Sequence, residues 1–436
     1  HYGVWPRYHE NDFKEQVEFG KGLDWPIEYA DLQPWYDRVQ EEVGVAGDAE
    51  TEIWRPPGAP YPLPPVPRFA QGEILAKGFE KAGLNVAPVP VAILTRPYKG
   101  RPACIWDGWC DAGCPTGALA NPLVLYLPRA RKAGATTLAN SHVTRVLSND
   151  KGDRASGVEY FDAGGRRHEL RAKLVVLTAF NVENARILLN SDAGGRQESL
   201  ANSSGLVGAY LMSHPGVVHS GFFDEDTQNH LGISGGQIIC QDHFDKRSDE
   251  GAFGSRQWIG GLALKPNDLL GTAMSRADII GADLDPFMKR AAKKLAQIVS
   301  ITEDQPIREN RVELDDATDA FGYRRARIRY QTSPDGMGLW KKSAEEGLEI
   351  LKAAGASEAW HGPKVSQHIL GGTIMGADPK GSVANAYGQT HDVENLFLGG
   401  GGLFPTSSAV NSTFTIHAVA MRSADYVIKN WAGLTR

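Results

Sequence analysis

A histidine and an asparagine, His368 and Asn411, stand 43 residues apart near the C-terminal end of the 436-residue chain. Between them lie a glycine pair, Gly371 and Gly372, the dipeptide Met375-Gly376, and four consecutive glycines at 399–402 behind an apolar run at 395–398. A neutral imidazole near its ordinary pKa can take a hydroxyl proton at physiological pH. A second polar side chain can orient the oxygen that results and stabilise its charge. Four glycines after a strand let backbone come close to a ligand, because no Cβ stands in the way. Each feature also has a plain structural reading, since single histidines commonly pack and glycines commonly turn the chain.

A second constellation is Cys104, Cys110 and Cys114 in the run CIWDGWCDAGCPTG. Three of the four cysteines fall within eleven residues, with loops short enough to face one centre. The closing Cys-Pro is also how the bacterial ferredoxin-type run ends. Three thiolates suit a 3Fe–4S cluster, whereas four irons want a fourth ligand. Zinc held by three cysteines and a histidine is the alternative, with no histidine close in sequence. A disulfide with one thiol left over is the third reading. Cys240, far from the others, reads as a buried small hydrophobe.

The elements that must position these residues follow from pattern and punctuation. A helix is expected from about Leu32 to Gly44 with Asp31 as its N-cap. The proline-rich residues 55–67 cannot form a helix interior or a central strand. A strand is expected over 86–98, a helix over most of 118–133, and three or four strands across 142–179. The last of these, 174–179, is apolar in the manner of a strand covered on both faces. A helix follows at 184–190. Residues 216–335 read as glycine-interrupted β-runs with a basic helix at 286–299, hence an antiparallel sheet with helices on one side. An amphipathic helix at 337–354 stops at Gly355, and residues 411–413 cap a final helix running to about Trp431. The length allows two or three domains. A net charge of −6 gives no electrostatic case for nucleic acid or an anionic membrane, and no apolar run is long enough to span a bilayer.

The run 365–416, VSQHILGGTIMG…NLFLGGGGLFPTSSAVNSTFTI, resembles the C-terminal signature of the glucose–methanol–choline (GMC) flavin oxidoreductases. The stretch NDF…DWPIEYADLQPWYDRVQEEVGV is similar to that family's substrate-cover region. VVLTAFNVENARILLNS is similar to its V-V-L-A-A-G-x-x-x-T-P-x-L-L-L-x-S, with Phe180 where the family has Gly. LVGAYLMSHP is similar to V-G-x-x-L-x-D-H-P, with Ser213 in place of Asp. The resemblance implies an α/β (α+β) fold, in which a GMC-type FAD-binding domain with an incomplete Rossmann-like part is interleaved with an antiparallel-sheet substrate domain. It divides the chain into a cover segment at 1–85, an FAD-binding part with the cysteine loop at 86–215, a substrate-binding part at 216–360, and a C-terminal FAD-binding and catalytic segment at 361–436. It puts His368 in the role of base and Asn411 beside it. It also puts Gly400 and Gly401 at the flavin's ribityl–pyrophosphate chain, Ser412 and Thr413 beside the isoalloxazine, and the Val143 backbone at adenine. His417 is expected to pack. No G-x-G-x-x-G phosphate loop lies near the N-terminus, so the chain is expected to be the larger C-terminal part of a longer protein.

The cysteine run closing in C-P-T-G-A resembles the catalytic subunits of bacterial FAD-dependent glucose dehydrogenase and its sorbitol, fructose and gluconate relatives, with Ile105 replacing one of two adjacent cysteines. That resemblance implies a dehydrogenase of a sugar or polyol, passing electrons through a 3Fe–4S cluster to a cytochrome or quinone. It implies a small chaperone-like subunit, a haem-c subunit and a periplasmic home, the cytoplasm being the alternative. Two other readings stand beside it: an oxygen-using oxidase with structural cysteines, and a non-catalytic partial chain without FAD.

Overall fold

The computed structural model describes residues 2–195, 199–246 and 251–436. Its centre is a seven-stranded sheet in the order Ala87–Pro88, Ile238–Cys240, Arg256–Gly260, Leu295–Thr302, Met212–Phe222 and Glu358–His361, with Val365–Leu370 also paired to Met212–Phe222. Every pairing is antiparallel. The sheet expected within 216–335 is therefore present, and it draws strands from both sides of that range. Helices Ala70–Lys81 and Pro334–Ala353 cover one face, where Leu75, Phe79, Ile350 and Leu351 pack on Trp258, Ala296 and Ile298. The other face presents Ile259, Val299 and Ile301 to Val4, Val91 and Cys110. Strand Leu295–Thr302 alternates between these two layers and is buried throughout.

That strand corrects the expected helix at 286–299. The helix is Leu284–Lys294, and the β-branched residues after it belong to the sheet core. Over 86–98 only Ala87–Pro88 is a strand. Pro88 and Pro90 offer no N–H, and the rest makes isolated bridges to Val4, Ala46 and Leu119. Over 118–133 only Tyr126–Lys132 is helical, because the Asn121 side chain holds the amides of Leu123 and Val124 in a turn. Asp31 is not the N-cap of helix Tyr29–Val43. It lies in the first turn and accepts from the Glu28 amide at 2.9 Å.

Other expectations stand. Gly44 and Gly355 follow their helices with φ of 82° and 100°. Four strands occupy 142–177, residues 55–67 form neither helix nor strand, and the last long helix is Thr413–Lys429. The cap expected from residues 411–413 is not made, because Ser412 at the N-cap position already has helical backbone angles and its side chain bonds no helix amide. Cys240 is buried among Phe79, Trp258 and Ile298.

The short strands Val175–Leu177 and Leu396–Leu398 pair in parallel, apart from the large sheet. Val176 is 54% exposed, so this strand is covered on one face only, not on both as its composition implied. Past the two strand ends, Phe180 takes φ 80° and Gly400 takes φ 91°. Asn184 ties the ends together, accepting from the Ala179 amide at 2.7 Å and donating to the Gly399 carbonyl at 3.3 Å. The carboxyl ends of adjacent parallel strands are where α/β folds hold ligands. Phe180 thus keeps a backbone conformation suited to the glycine it replaces, at a cost of ~1–3 kcal/mol. Among the described residues, no helix is long and apolar enough to cross a membrane.

Candidate active site

His368 lies in strand Val365–Leu370, where pairing to Met212–Phe222 slips between Gln367 and Ile369. It is the extra residue of a bulge, with φ 50°. A bulge re-aims a side chain, and here it turns the imidazole edge-on to His214 of the neighbouring strand. The two Nδ1 atoms stand 3.0 Å apart. Nε2 of His368 faces Asn411 Nδ2 at 3.4 Å. The structure therefore brings His368 and Asn411 together although they stand 43 positions apart in the sequence.

Asn411 is oriented from behind. Its Oδ1 accepts from Gln257 Nε2 at 3.0 Å, and Gln257 Oε1 accepts from Gln241 Nε2 at 3.1 Å. The loop before Asn411 is clamped on several sides. Tyr8 donates to the Ser407 carbonyl, Trp25 to Thr406, and Ser408 to Asp12, at 2.7, 2.7 and 2.9 Å. The Asp304 amide donates to Ser407 Oγ at 2.9 Å. Under this loop Lys246 meets Asp12, Glu15 and Glu303 at 2.7–2.9 Å, all four fully buried. Sequence reading assigned no role to His214, Gln241, Gln257 or Lys246. The S-H-P run was the one signal, and it marks His214 without saying what it touches.

A cavity of about 480 Å³ opens beside the pair. His368, Asn411 and Thr413 form part of its wall, and Val218, Ile259, Val299 and Ile301 of the large sheet form another. Asp111 and Ser234 also line it. Ser234 donates to the Gly108 carbonyl at 3.0 Å and to Asp111 at 3.3 Å, which fastens the cysteine loop to this cavity.

Burial, with the neighbouring His214, lowers the His368 pKa to about 3. The imidazole stays neutral and able to accept a proton throughout the physiological range. A base with this lowered pKa loses function only as pH falls toward that value. A reaction in which His368 takes up the proton is therefore expected to keep a level kcat/KM from pH 7.5 down to about 5, whereas an unperturbed histidine would give an acid limb near ~6.5. A pH–rate profile checks this, and an acid limb at 6–7 would refute it.

The other expected residues divide. A Cβ on Gly400 would meet nothing within 4 Å, so the chain there is open to a ligand. A Cβ on Gly401 would strike Leu370 at 2.7 Å, which gives that glycine a packing reason. The same contact sets the glycine turn against the strand carrying His368, where the Gly371 amide donates to the Gly401 carbonyl. Ser412 is buried beneath the start of helix Thr413–Lys429. Val143 pairs with Tyr160 in a separate three-stranded sheet and does not line the cavity. His417 packs on Trp5 at 4.6 Å, as expected.

Cys104, Cys110 and Cys114 are unpaired and share one packed layer. Cys104 Sγ accepts from the Trp106 amide at 3.3 Å and Cys114 Sγ from the Leu119 amide at 3.5 Å. Burial pushes the Cys104 thiol up to about 11 and raises Cys110 too. Cys114 is held below its usual range, the Leu119 amide and the Thr116 hydroxyl outweighing burial. Among the described residues, the one group of three metal-capable side chains with ligand atoms within 4.8 Å of one another is Asp12, Glu15 and Glu303. The thiols are thus spread wider than a single tetrahedral ion allows with sulfurs at about 2.3 Å.

The open strand-end crevice and the neighbouring proton acceptor belong to a known class. Residues 4–216 and 306–420 match GMC oxidoreductase. The chain belongs to this family and is an FAD-dependent oxidoreductase acting on alcohol groups, of the alcohol and sugar dehydrogenase or oxidase kind. It is 31% identical over 451 residues to the 2-methyl-1,2-propanediol dehydrogenase of Mycolicibacterium austroafricanum, covering 100% of this chain and 80% of that protein. It is 31% identical over 429 residues to the fructose dehydrogenase large subunit of Gluconobacter japonicus, covering 97% and 78%. Pyridoxine 4-oxidase from Mesorbium loti shares the fold, with a TM-score of 0.63 at 15% identity over 98% of this chain and 82% of that one.

Proposed function

We propose that the protein is a dehydrogenase of a sugar or polyol, in which His368 takes the hydroxyl proton and Asn411 holds the oxygen. The observation that carries this reading is the meeting of His368 and Asn411 at 3.4 Å on the wall of a cavity that also borders the cysteine loop. When bound, FAD supplies the hydride acceptor. Gly400 and the carboxyl ends of strands Val175–Leu177 and Leu396–Leu398 would hold its chain, with Thr413 on the cavity wall that the pair also lines. Sheet residues Val218, Ile259 and Val299 exclude water from the reacting hydroxyl, which strengthens each polar contact there.

Cys104, Cys110 and Cys114 would hold a 3Fe–4S cluster, which supplies single-electron transfer. Support comes from their three free thiols, the amide donors at two sulfurs, and a spacing too wide for one ion. Electrons then leave to a cytochrome or quinone, with a haem-c subunit and a small chaperone-like subunit as partners in a periplasmic complex. The likeness to a protein named a fructose dehydrogenase large subunit supports a multi-subunit assembly and a sugar substrate.

The test is the visible spectrum of the purified protein, with iron and acid-labile sulfide measured on the same sample. Flavin bands with three irons per chain are expected from a cluster of that type, and Cys114→Ser should lose the iron while keeping the flavin. Flavin without iron, with efficient O2 consumption, would replace the dehydrogenase by an oxidase.

A further inference from the structure

We infer that His214 selects the tautomer of His368, and so leaves the Nε2 lone pair of His368 free on the cavity side. The starting point is the Ser407 carbonyl. A carbonyl oxygen only accepts, so its 2.9 Å contact with His214 Nε2 places a proton on that nitrogen. His214 is fully buried, and burial lowers its pKa, which keeps the ring neutral. A neutral imidazole protonated at Nε2 has a bare lone pair at Nδ1. His368 Nδ1 stands 3.0 Å from that lone pair. Two lone pairs repel at this distance, so His368 carries its proton on Nδ1 and donates it to His214. Its Nε2 is then the unprotonated nitrogen.

The opposite side gives the same direction independently. Gln241 donates to Gln257 and Gln257 to Asn411, which turns the Asn411 NH2 toward His368 Nε2 as a donor. In water the Nε2–H form of neutral imidazole predominates, so the protein holds His368 in the less common form. His214 touches neither cavity nor substrate and acts through His368; it is a positioning residue. Its fixity derives from the Ser407 carbonyl, which Tyr8 also holds at 2.7 Å. The catalytic weight of this assignment rests on the base reading above, whereas the tautomer itself does not.

The test is a long-range ¹H–¹⁵N spectrum of the FAD-bound protein labelled with [¹⁵N]histidine, the His368 signals being identified by their loss in His368→Asn. The wild-type protein is expected to show a protonated Nδ1 and a bare Nε2 at His368. His214→Leu should shift His368 toward Nε2–H and slow flavin reduction by an alcohol about 10²-fold. His214→Gln can accept from His368 through Oε1 while donating to Ser407 through Nε2. It should restore the Nδ1–H pattern and most of the rate. A protonated Nε2 in the wild-type protein overturns the inference whatever the variants do. So does a glutamine variant no better than leucine in both readouts. Undiminished flavin reduction in His368→Asn, with the expected nitrogen pattern in the wild-type protein, would remove the base reading and still support the tautomer.

Discussion

His368→Ala reduces its bound flavin with alcohol about 10²- to 10⁴-fold more slowly than the wild-type protein, the range that general bases contribute. The loss falls on kcat, because the proton is in transfer only at the transition state, and KM changes little. The fold persists, for reasons visible in the bulge. Residue 368 forfeits two side-chain hydrogen bonds, to His214 and from Asn411, each with a typical net worth of about 1 kcal/mol. The strand is still pinned by Asn181, which donates to the Ile369 carbonyl at 2.8 Å, and by Ser213, which donates to the Gln367 carbonyl at 3.0 Å. Anaerobic stopped-flow bleaching of the flavin, beside circular dichroism of the same sample, makes the comparison. Wild-type rates in a folded His368→Ala protein would sink the base assignment, and lost flavin absorbance would show that the substitution acts on cofactor binding.

The parts of this site that sequence exposes are those in which one residue type has one use. Gly399 to Gly402 after an apolar run, and a histidine with an asparagine around them, needed no structure to be singled out. What brought His368 to Asn411 was hidden, because a bulge is a slip in register between strands 150 residues apart. Nothing local to residues 365–370 signals it, beyond the glycine pair that follows. His214, Gln241 and Gln257 were hidden for a related reason. Each is an ordinary polar residue in a β-run, and its role lies in a partner supplied by another strand or loop. The helix expected over 118–133 failed where a side chain competed with the backbone, as Asn121 does, and the strand expected over 86–98 failed where proline removed a donor, as at Pro88 and Pro90. Composition misled at Val176. An apolar strand reads as covered on both faces, yet here Val176 is exposed while Phe397, beside it on the paired strand, is buried. Openness at Gly400, against the close packing at Gly401, separates a glycine with free space beside it from one that packing requires. Adjacent identical residues cannot be told apart by sequence.

The largest expected change in stability comes from Lys246→Met, with a loss of ~3–5 kcal/mol, the usual consequence of removing one partner from a buried ionic group. That is a large share of the ~5–15 kcal/mol that holds a domain folded. The ammonium of Lys246 touches Asp12, Glu15 and Glu303, and burial keeps Glu15 well above the usual carboxylate range. Burial thus favours the protonated form of Glu15. Glu303, although burial opposes it, is held at about 2 by Lys246 and its hydrogen bonds, and is the ionised partner. In the wild-type protein this depressed value contributes stability above the unfolded pKa near ~4.5, which is lost as pH falls through about 2. In Lys246→Met the sign reverses. Burial without the cation raises Glu303, so the folded state takes up a proton that the unfolded chain has released, and stability falls as pH rises above ~4.5. The gap between wild-type and variant protein should then be widest at pH 8 and narrow on approach to pH 4.5, read as denaturant midpoints at several pH values. A gap independent of pH would mean that Lys246 acts by packing and not by charge. The consequence reaches the site through Asp12, which accepts from the His9 amide at 2.7 Å and from Ser408 at 2.9 Å. Ser408 neighbours the carbonyl that anchors His214. A Lys246→Met protein that is folded at pH 5 should therefore still lose part of its rate of flavin reduction, because the loop that orients both histidines has lost its support.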